Sequence, residues 1–266
     1  APVSLKQVLS RYNSDMFGNK RQQDCHECLV SILDILHEES KNINLHKLTF
    51  HPGFNKKTEK SNKQWLSFNK VFGYSFITHL FSGQFISTTF CTKCFNENHN
   101  FESFNNITLN IPNKNDNKPP DIKDCFYKYF ESETLDELIE CDNCPRDIFD
   151  NSKKRTKMKK RICIWRFPKI LVLALKRYPK PNFRDNSKVG INGVLRFQVE
   201  NTGEKLVYDL KHHEGSSPYG GHYTVINIDS RGNWTMIDDE NVTEIPLDKR
   251  NRYSSSAYIL VYEIRS

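Results

Sequence analysis

The stretch PKILVLALKRY, residues 168–178, contains the longest uninterrupted apolar run of this 266-residue chain. The run itself, Ile170–Leu175, has the length of a strand that is buried on both faces. It is far shorter than the roughly 20 apolar residues that a membrane-spanning helix needs. We therefore predict a buried strand within a sheet, and we expect no membrane partner.

Strand patterns continue on both sides of this run. Downstream, residues 222–228, 234–238 and 257–263 each have the composition of a strand. Upstream, apolar and polar residues alternate over 84–112, which also predicts strands. A loop is expected at residues 113–121, and a short helix near Glu133–Ile139.

One helix is strongly indicated near the start of the chain, at residues 24–40. Asp24 is placed to cap it, with Glu27 three residues later, as in a capping box. Its apolar residues recur with the period of one helix face. They are Cys25, Cys28, Leu29, Ile32, Leu33 and Leu36. Residues 41–70 are rich in lysine and asparagine and are predicted to be a surface excursion, so helices precede strands and the fold class is α+β.

The charge of the chain is basic, with a formal net charge of +7. Part of the excess lies in residues 153–161, where seven of the nine residues are lysine or arginine. No aromatic residue interleaves with these charges before Trp165, so a surface that stacks nucleic-acid bases is not indicated. We interpret the run as a solvated strand or loop face, and nucleic acid is not an expected partner.

Among the eight cysteines, Cys91 with Cys94 and Cys141 with Cys144 are two pairs with the CxxC spacing of a zinc knuckle. Zinc prefers four tetrahedral ligands, and two such knuckles supply a closed site of four thiolates. The expected cofactor is therefore one structural zinc ion, because a closed site leaves no position for a catalytic water. Clustered CxxC pairs in a chain of this size also favour a reducing, intracellular compartment, the cytoplasm or the nucleus.

A histidine and two carboxylates are predicted to meet on a hairpin. His222 opens one strand and Asp238 and Asp239 end the next. If residues 229–232 form the loop, His222 lies opposite Asp239. A one-residue change in the length of the loop places His222 opposite Asp238 instead. A carboxylate so placed would hold the imidazole of a general base. Taken alone, the pattern is more typical of an incidental surface contact than of a catalytic pair.

Several segments in this order resemble the ubiquitin-specific protease family. They are QQDCHE at 22–27, FSG at 81–83 ahead of the first knuckle, PKILVLALKRY at 168–178, GHYT at 221–224, Trp234 with Asp238, Asp239 and Val242, and AYILVY at 257–262. The resemblance implies a papain-like cysteine protease fold with a thumb, zinc-binding β fingers and a β palm. It places the thumb at residues 1–80, the fingers at 81–165 and the palm at 166–266.

The same resemblance implies a deubiquitinase that hydrolyses the (iso)peptide bond at the C-terminal glycine of ubiquitin, which makes ubiquitin or a ubiquitinated protein the partner. His222 would be the general base and Asp238 its orienting acid, with Asp239 as a possible second acid. The ubiquitin tail would be bound by Asp24, which is equally well explained as a helix cap. Three residues around His222 would also contact that tail, namely Gly220, Gly221 and Tyr223.

The cysteine box of the family, which carries the nucleophile, does not occur in the residues before Gln22. Cys25 begins the helix at 24–40, where a thiolate would be favoured. It also lies on the apolar stripe of that helix, so core packing is the preferred interpretation. The expectation is an enzyme whose nucleophile lies upstream of these residues, with an inactive, ubiquitin-binding pseudo-protease as the alternative.

Overall fold

The computed structural model describes residues 3–19, 23–42, 48–53, 55–113, 118–146, 151–180, 183–200, 202–215, 222–250 and 253–265. Within these residues, helices dominate the first third and strands the rest. The helices are α1 Val3–Tyr12, α2 Ser14–Phe17, α3 Cys25–Ser40, α4 Lys56–Phe72, α5 Phe76–Phe81 and α6 Ile122–Tyr129, with a short 3-10 turn at Leu247–Lys249. None of the described helices has the length and apolar character to cross a membrane.

The described strands form two principal sheets and two short pairs. They are β1 Gly83–Cys91, β2 Glu97–Phe104, β3 Ile107–Leu109, β4 Glu133–Thr134, β5 Ile139–Glu140, β6 Arg155–Thr156, β7 Met158–Arg166, β8 Ile170–Leu175, β9 Val189–Gly190, β10 Val194–Gln198, β11 Lys205–Gly215, β12 Thr224–Ile228, β13 Trp234–Asp238, β14 Asn241–Ile245, β15 Tyr253–Ser254 and β16 Ala257–Ile264. The large sheet has the order β14-β13-β12-β11-β16-β8-β3, with β10 also paired to β11. The smaller sheet has the order β2-β1-β7-β4.

Strand β8 is buried on both faces, as its sequence predicts. Leu171, Leu173 and Leu175 are fully buried in the main core, which also contains residues of β11, β16 and α6. Val172 points to the opposite face and packs in a separate cluster with Tyr258 and Ile259. A strand that is covered on both sides has no need of alternating polar residues, which explains the continuous apolar run.

Helix α3 covers that second face. Cys25 and Leu29 pack against the Val172 cluster, and Leu33 is buried further along the helix. The Asp24 side chain caps the helix by accepting hydrogen bonds from the backbone amides of His26 and Glu27, at 2.7 and 3.1 Å. The predicted helix and its cap are therefore confirmed, and so is most of the apolar stripe, although Leu36 at its far end is exposed.

Gly83 lies where the chain passes from α5 into the smaller sheet. A Cβ at this position would lie 2.4 Å from the Phe104 ring and 2.7 Å from the Arg166 carbonyl oxygen. The backbones of β1 and its neighbours can approach this closely because the residue has no side chain.

The prediction of a surface excursion at residues 41–70 is wrong, because residues 56–72 form the 17-residue helix α4. Its buried face carries Thr58, Ser61, Trp65 and Asn69, which have helical spacing but are mostly polar. Ser61 donates a hydrogen bond to the Gln84 side chain of β1 at 2.7 Å. The hydrophobic pattern misses the helix because hydrogen bonds, and not apolar side chains, join much of it to the sheet.

The short helix expected near Glu133–Ile139 is also wrong. These residues contain β4 and β5, and β4 pairs with β7 so that Glu133 lies opposite Lys160. A helix forms earlier instead, at α6, where Asp121 and Asp124 make a reciprocal capping box. Tertiary pairing with a long basic strand outweighs the local helix preference of residues 133–139.

The predicted division of the chain at 81 and 165 does not follow the sheets. Strand β3 and helix α6 lie between these positions, yet β3 pairs in parallel with β8 of the large sheet. The buried α6 residues Ile122, Cys125 and Phe126 belong to the main core. The segment between the two cysteine pairs therefore returns to the large sheet before it enters the second knuckle.

Candidate active site and metal centre

The His222 ring lies against the carboxylate of Asp238. Its Nε2 atom makes a very short hydrogen bond with Asp238 Oδ1. Asp239 Oδ2 is 3.9 Å from the same nitrogen, so it adds charge and no direct hydrogen bond. About half of the His222 side chain is exposed. Of the two acids left open by the sequence, Asp238 is the one that holds the imidazole.

The strand register differs from the prediction. Ile228 pairs with Trp234 and Val225 with Ile237, so the register extrapolates to Thr224 opposite Asp238. His222 precedes the ladder and reaches Asp238 as a diagonal neighbour on the same face of the sheet. The connection is one residue longer than the four-residue loop that the sequence suggests. Asp239 lies beyond the end of β13, with a left-handed φ of 52°, which directs its mostly exposed side chain differently from that of Asp238.

Electrostatics favour the protonated form of this histidine. The hydrogen bond to Asp238, the negative charge of Asp238 and the charge of Asp239 raise the pKa of His222 above its ordinary value. Since Asp238 is bonded to Nε2, the Nδ1 atom is the ring nitrogen that is left to accept a proton from a nucleophile. A general base requires this arrangement, in which one ring nitrogen is held by a carboxylate and the other is available to accept a proton.

Asp24 joins the first helix to the large sheet. Its Oδ1 atom accepts the two amide hydrogen bonds that cap α3, and its Oδ2 atom accepts a hydrogen bond from the Tyr258 hydroxyl of β16 at 2.7 Å. One carboxylate thus ties the helical part of the chain to the sheet. Both interpretations of Asp24 remain open, because a capping carboxylate has lone pairs left for a cationic ligand.

Tyr223 lies beside the first turn of α3. Burial, the thiol of Cys25 and the carboxylate of Asp24 all raise the pKa of the Tyr223 hydroxyl. Residues Asp24 and Tyr223, which were predicted to contact the same ligand, are therefore close together. The other two predicted contacts, Gly220 and Gly221, lie outside the described residues.

The four paired cysteines converge at the end of the smaller sheet. Cys91 Sγ is 3.6 Å from Cys144 Sγ, Cys94 Sγ is 3.5 Å from Cys141 Sγ, and all four sulfurs lie within 4.8 Å of one another. Three of the four residues are buried. The β1–β2 turn supplies one knuckle, and the chain around the β5–β6 pair supplies the other, as the spacing of the pairs predicts.

These distances fit a tetrahedral metal site. Sulfurs at about 2.3 Å from a central zinc ion are about 3.8 Å apart, whereas a disulfide bond is about 2.0 Å long. Thr156 lowers the pKa of the Cys91 thiol to about 6 through a hydrogen bond, and burial raises that of Cys144 to about 12. Four crowded thiols cannot all ionise without a cation, and a dication removes that restriction.

Comparison with known proteins places the chain in a family. A model of the family described as ubiquitin carboxyl-terminal hydrolase matches residues 1–262. The chain belongs to the ubiquitin carboxyl-terminal hydrolase family. Ubiquitin carboxyl-terminal hydrolase 2 of Homo sapiens is 30% identical over 285 residues, covering 100% of this chain and 44% of that protein. The protein of the same name from Gallus gallus is also 30% identical over 285 residues, and 74% of its length is covered.

The chain thus spans less than half the length of the human ubiquitin carboxyl-terminal hydrolase. Its fold is similar to that of chains in two structures of the SAGA Ubp8/Sgf11/Sus1/Sgf73 DUB module, bound to monoubiquitin and to ubiquitin aldehyde. The TM-scores are 0.73 and 0.72 at 20% and 21% identity, covering 99% of this chain and 53% and 54% of those chains. The predicted papain-like α+β fold, with thumb, zinc-type fingers and palm, is confirmed.

Two residues of the candidate sites were not predicted from the sequence. Tyr258 belongs to the AYILVY segment, whose apolar pattern predicts a strand and gives no sign of a contact 234 positions away. Thr156 Oγ1 lies 3.2 Å from Cys91 Sγ. Both contacts join elements that are distant in sequence, so no local pattern could have suggested either of them.

Proposed function

We propose that this chain forms the ubiquitin-binding and general-base part of a thiol-dependent deubiquitinase. The reaction is hydrolysis of the (iso)peptide bond at the C-terminal glycine of ubiquitin. Family membership supports the reaction class, and the observation that carries the residue roles is the hydrogen bond between His222 Nε2 and Asp238. Asp239 contributes negative charge at 3.9 Å, which stabilises the imidazolium form.

The chemistry follows from that geometry. His222 Nδ1 takes the proton of a cysteine thiol, and the thiolate attacks the carbonyl carbon of the terminal glycine. The imidazolium then returns the proton to the departing amine, which leaves a thioester between the enzyme and ubiquitin. His222 next takes a proton from water, the hydroxide displaces the thiolate, and ubiquitin leaves with a free carboxylate. Asp238 keeps the ring oriented throughout.

The nucleophile is proposed to come from a segment outside the 266 residues. Among the described residues, the contacts of His222 are with the two aspartates, and four cysteines form the cluster in the fingers. Cys125 is fully buried in the main core, and burial raises the pKa of its thiol to about 12. Cys25 packs against the large sheet, and its thiol interacts with Tyr223.

The ubiquitin tail is proposed to lie between α3 and the large sheet. Asp24 offers a carboxylate there to the arginine-rich tail, and a charge-assisted hydrogen bond suits that pairing. Tyr223 forms the neighbouring wall, while Gly220 and Gly221 are proposed to allow close approach of the tail backbone. The four cysteines of the fingers are proposed to hold one structural zinc ion, which would stabilise the fingers and take no part in the reaction. A site of this kind also supports a reducing intracellular location.

The test separates binding from chemistry. Ubiquitin carrying a C-terminal fluorophore is offered to residues 1–266 and to a longer protein in which a segment with the family's cysteine box is joined ahead of Ala1. The expected result is binding without turnover for the first protein and turnover for the second. Replacement of His222 by glutamine in the longer protein should abolish turnover and leave binding intact.

Two other results would change the assignment. Turnover by residues 1–266 that is lost in Cys25→Ala would identify Cys25 as the nucleophile. Binding without turnover by the longer protein would favour the pseudo-protease, which recognises ubiquitin and does not cleave it.

A further inference from the structure

Cys25 and Cys28 are two thiols that the proposed function leaves unused. The sequence CHEC at 25–28 gives them the same CxxC spacing as the two pairs in the fingers. The four cysteines of the fingers are committed to the cluster. In the remaining two, Cys125 and Cys163, burial raises the pKa of the thiol and so suppresses its reactivity. Cys25 and Cys28 are therefore the candidates for thiol chemistry outside the metal centre.

Their position in α3 is suited to a disulfide bond. Cys25 is the first residue of the helix and Cys28 lies almost one turn later. In a regular helix the Cα atoms of residues with this spacing are about 5 Å apart, which is inside the range that disulfides tolerate. The Cβ atoms are about 5–6 Å apart, and a disulfide needs about 4 Å. The bond therefore closes if the two Cβ atoms approach each other by roughly 1–2 Å.

Both thiols are accessible to a small reagent. Cys25 and Cys28 are half-buried and line one cavity of about 350 Å³. Its other walls include Leu9 of α1, Phe17 of α2 and Tyr223. A cavity of this size admits a molecule as small as hydrogen peroxide to both sulfurs without unfolding the chain.

The two thiols differ in their electrostatic surroundings. Cys25 lies at the positive end of the α3 dipole, which favours a thiolate there. The Asp24 carboxylate opposes this effect, although its three hydrogen bonds disperse its charge. Cys28 lies a turn further from the helix end and receives less of the dipole. Cys25 is therefore the attacking thiol, and Cys28 is the resolving one.

We propose that Cys25 and Cys28 form a peroxide-sensitive dithiol. The Cys25 thiolate attacks hydrogen peroxide, the O–O bond breaks, and the products are a sulfenic acid and, after protonation of the leaving hydroxide, one water molecule. The Cys28 sulfur then attacks the Cys25 sulfur, the S–O bond breaks, and a second water molecule leaves with the Cys28 proton. In sum, the dithiol and one peroxide give a disulfide and two water molecules.

The disulfide is expected to weaken ubiquitin binding, a consequence that rests on the proposed function. Cys25 directly follows Asp24 and lies beside Tyr223, the two described residues proposed to contact the ubiquitin tail. Tightening of the first turn moves the two amides that Asp24 caps, and it pulls the carboxylate against its bond to Tyr258. A small covalent change in α3 is thereby transmitted to the tail site.

The chemical test uses zinc-loaded residues 1–266, treated with hydrogen peroxide and then alkylated and digested. The tryptic peptide 22–41 contains both cysteines and should lose two hydrogens without being alkylated. In Cys28→Ser, Cys25 should stop at a sulfenic acid that dimedone traps, and in Cys25→Ser the peptide should stay reduced. Cys163→Ser is the matched control and should behave as the unaltered protein. Prior oxidation of Cys125 or Cys163, or separate adducts on Cys25 and Cys28, would overturn the dithiol.

The functional test measures ubiquitin affinity by fluorescence anisotropy before oxidation, after oxidation and after dithiothreitol. The affinity should fall at least several-fold on oxidation and recover on reduction, while Cys28→Ser should keep its affinity in peroxide. A disulfide that forms without a change in affinity would refute the coupling. If the reduced protein fails to bind ubiquitin, the proposed function fails, and the peptide map still decides whether the dithiol exists.

Discussion

The carboxylate partner of His222 sets the protonation of that residue. Replacing Asp238 with asparagine removes the negative charge that raises the pKa of His222, so the titration midpoint of the ring should move down. NMR titration of the imidazole nitrogens measures this directly. The Asp239→Asn control should move the midpoint less, because its oxygen lies 3.9 Å away. A larger effect from Asp239 would reverse the roles assigned to the two acids.

The raised pKa of His222 also determines how its contribution to the stability of the protein changes with pH. A histidine whose pKa is higher in the folded chain contributes stability below its unfolded pKa of about 6.5, and the contribution disappears as pH rises through the folded value. The difference in free energy of unfolding between the protein and Asp238→Asn should therefore be larger at mildly acidic pH than at alkaline pH. Urea unfolding across that interval measures it.

The hydroxyl group of Tyr258 is expected to hold the Asp24 carboxylate in position for ubiquitin. Tyr258→Phe removes the hydrogen bond to Asp24 Oδ2, so the carboxylate should be held less firmly and ubiquitin affinity should fall roughly fivefold, about 1 kcal/mol. The matched control is Tyr262→Phe on the same strand, whose hydroxyl donates to the Asn192 carbonyl at 2.7 Å. Each change should cost about 1 kcal/mol of stability, but Tyr262→Phe should leave ubiquitin affinity unchanged. Equal losses of affinity would show that Tyr258 acts through stability alone.

Among the elements, the fingers should depend on their metal. Cys141→Ser removes one of four sulfurs, so the bound zinc should fall from about one ion per chain to near zero and the Tm should drop by on the order of 10 °C. Metal analysis and thermal unfolding measure the two effects. The control is Cys163→Ser, which should retain the zinc, because Cys163 lies in β7 of the smaller sheet and outside the cluster. Full zinc content in Cys141→Ser would disprove the ligand set.

The sequence was sufficient for elements whose stability comes from local pattern or from spacing. Helix α3 has an apolar stripe and a cap, β8 has a continuous apolar run, and the cysteine pairs have ligand spacing. It was insufficient for α4, whose buried face relies on partners such as Gln84 that belong to another element. The predicted register between β12 and β13 was wrong for a related reason. The length of the loop depends on turn geometry, which the composition of the loop does not determine.

The candidate site was predictable in identity and not in arrangement. Residues His222 and Asp238 could be named from the sequence, but the choice of Asp238 over Asp239 depends on a left-handed residue at the end of β13. The contact between Asp24 and Tyr258 spans nearly the whole chain. Pairings of that range follow from the packing of α3 on the large sheet, which no local pattern encodes.

At the scale of the whole molecule, one buried cation joins several segments. Arg177 is fully buried and donates hydrogen bonds to four carbonyl oxygens, those of Ala257, Asp185, Ser187 and Ser254. Burial lowers the pKa of its guanidinium to about 10, so it stays charged at neutral pH. Its partners come from the loop before β9, from β15 and from the start of β16, and the loop is distant in sequence from the two strands.

Removal of that cation should destabilise the entire fold. Arg177→Met leaves four carbonyl oxygens without their donor, of which that of Ala257 lies in the buried core, and the free energy of unfolding should fall by about 3–5 kcal/mol. The control is Arg184→Met, because Arg184 is a half-buried arginine whose guanidinium donates to the Ser255 carbonyl at 3.4 Å, and its loss should cost only about 1 kcal/mol. Urea unfolding followed by tryptophan fluorescence provides the comparison. A small cost for Arg177→Met would mean that water replaces the guanidinium.

The place of β16 in the large sheet bears on how the protein is made. This strand is translated after the other strands of the sheet, yet it is inserted between β11 and β8. While the ribosome has not yet delivered residues 257–264, β8 and β11 each present an unpaired edge, and the leucines of β8 lack their final cover. Nascent chains that are arrested before Ala257 should therefore bind chaperones, and they should aggregate when they are released from the ribosome. Chains that are released after Ile264 should complete the sheet, and they should neither bind chaperones nor aggregate.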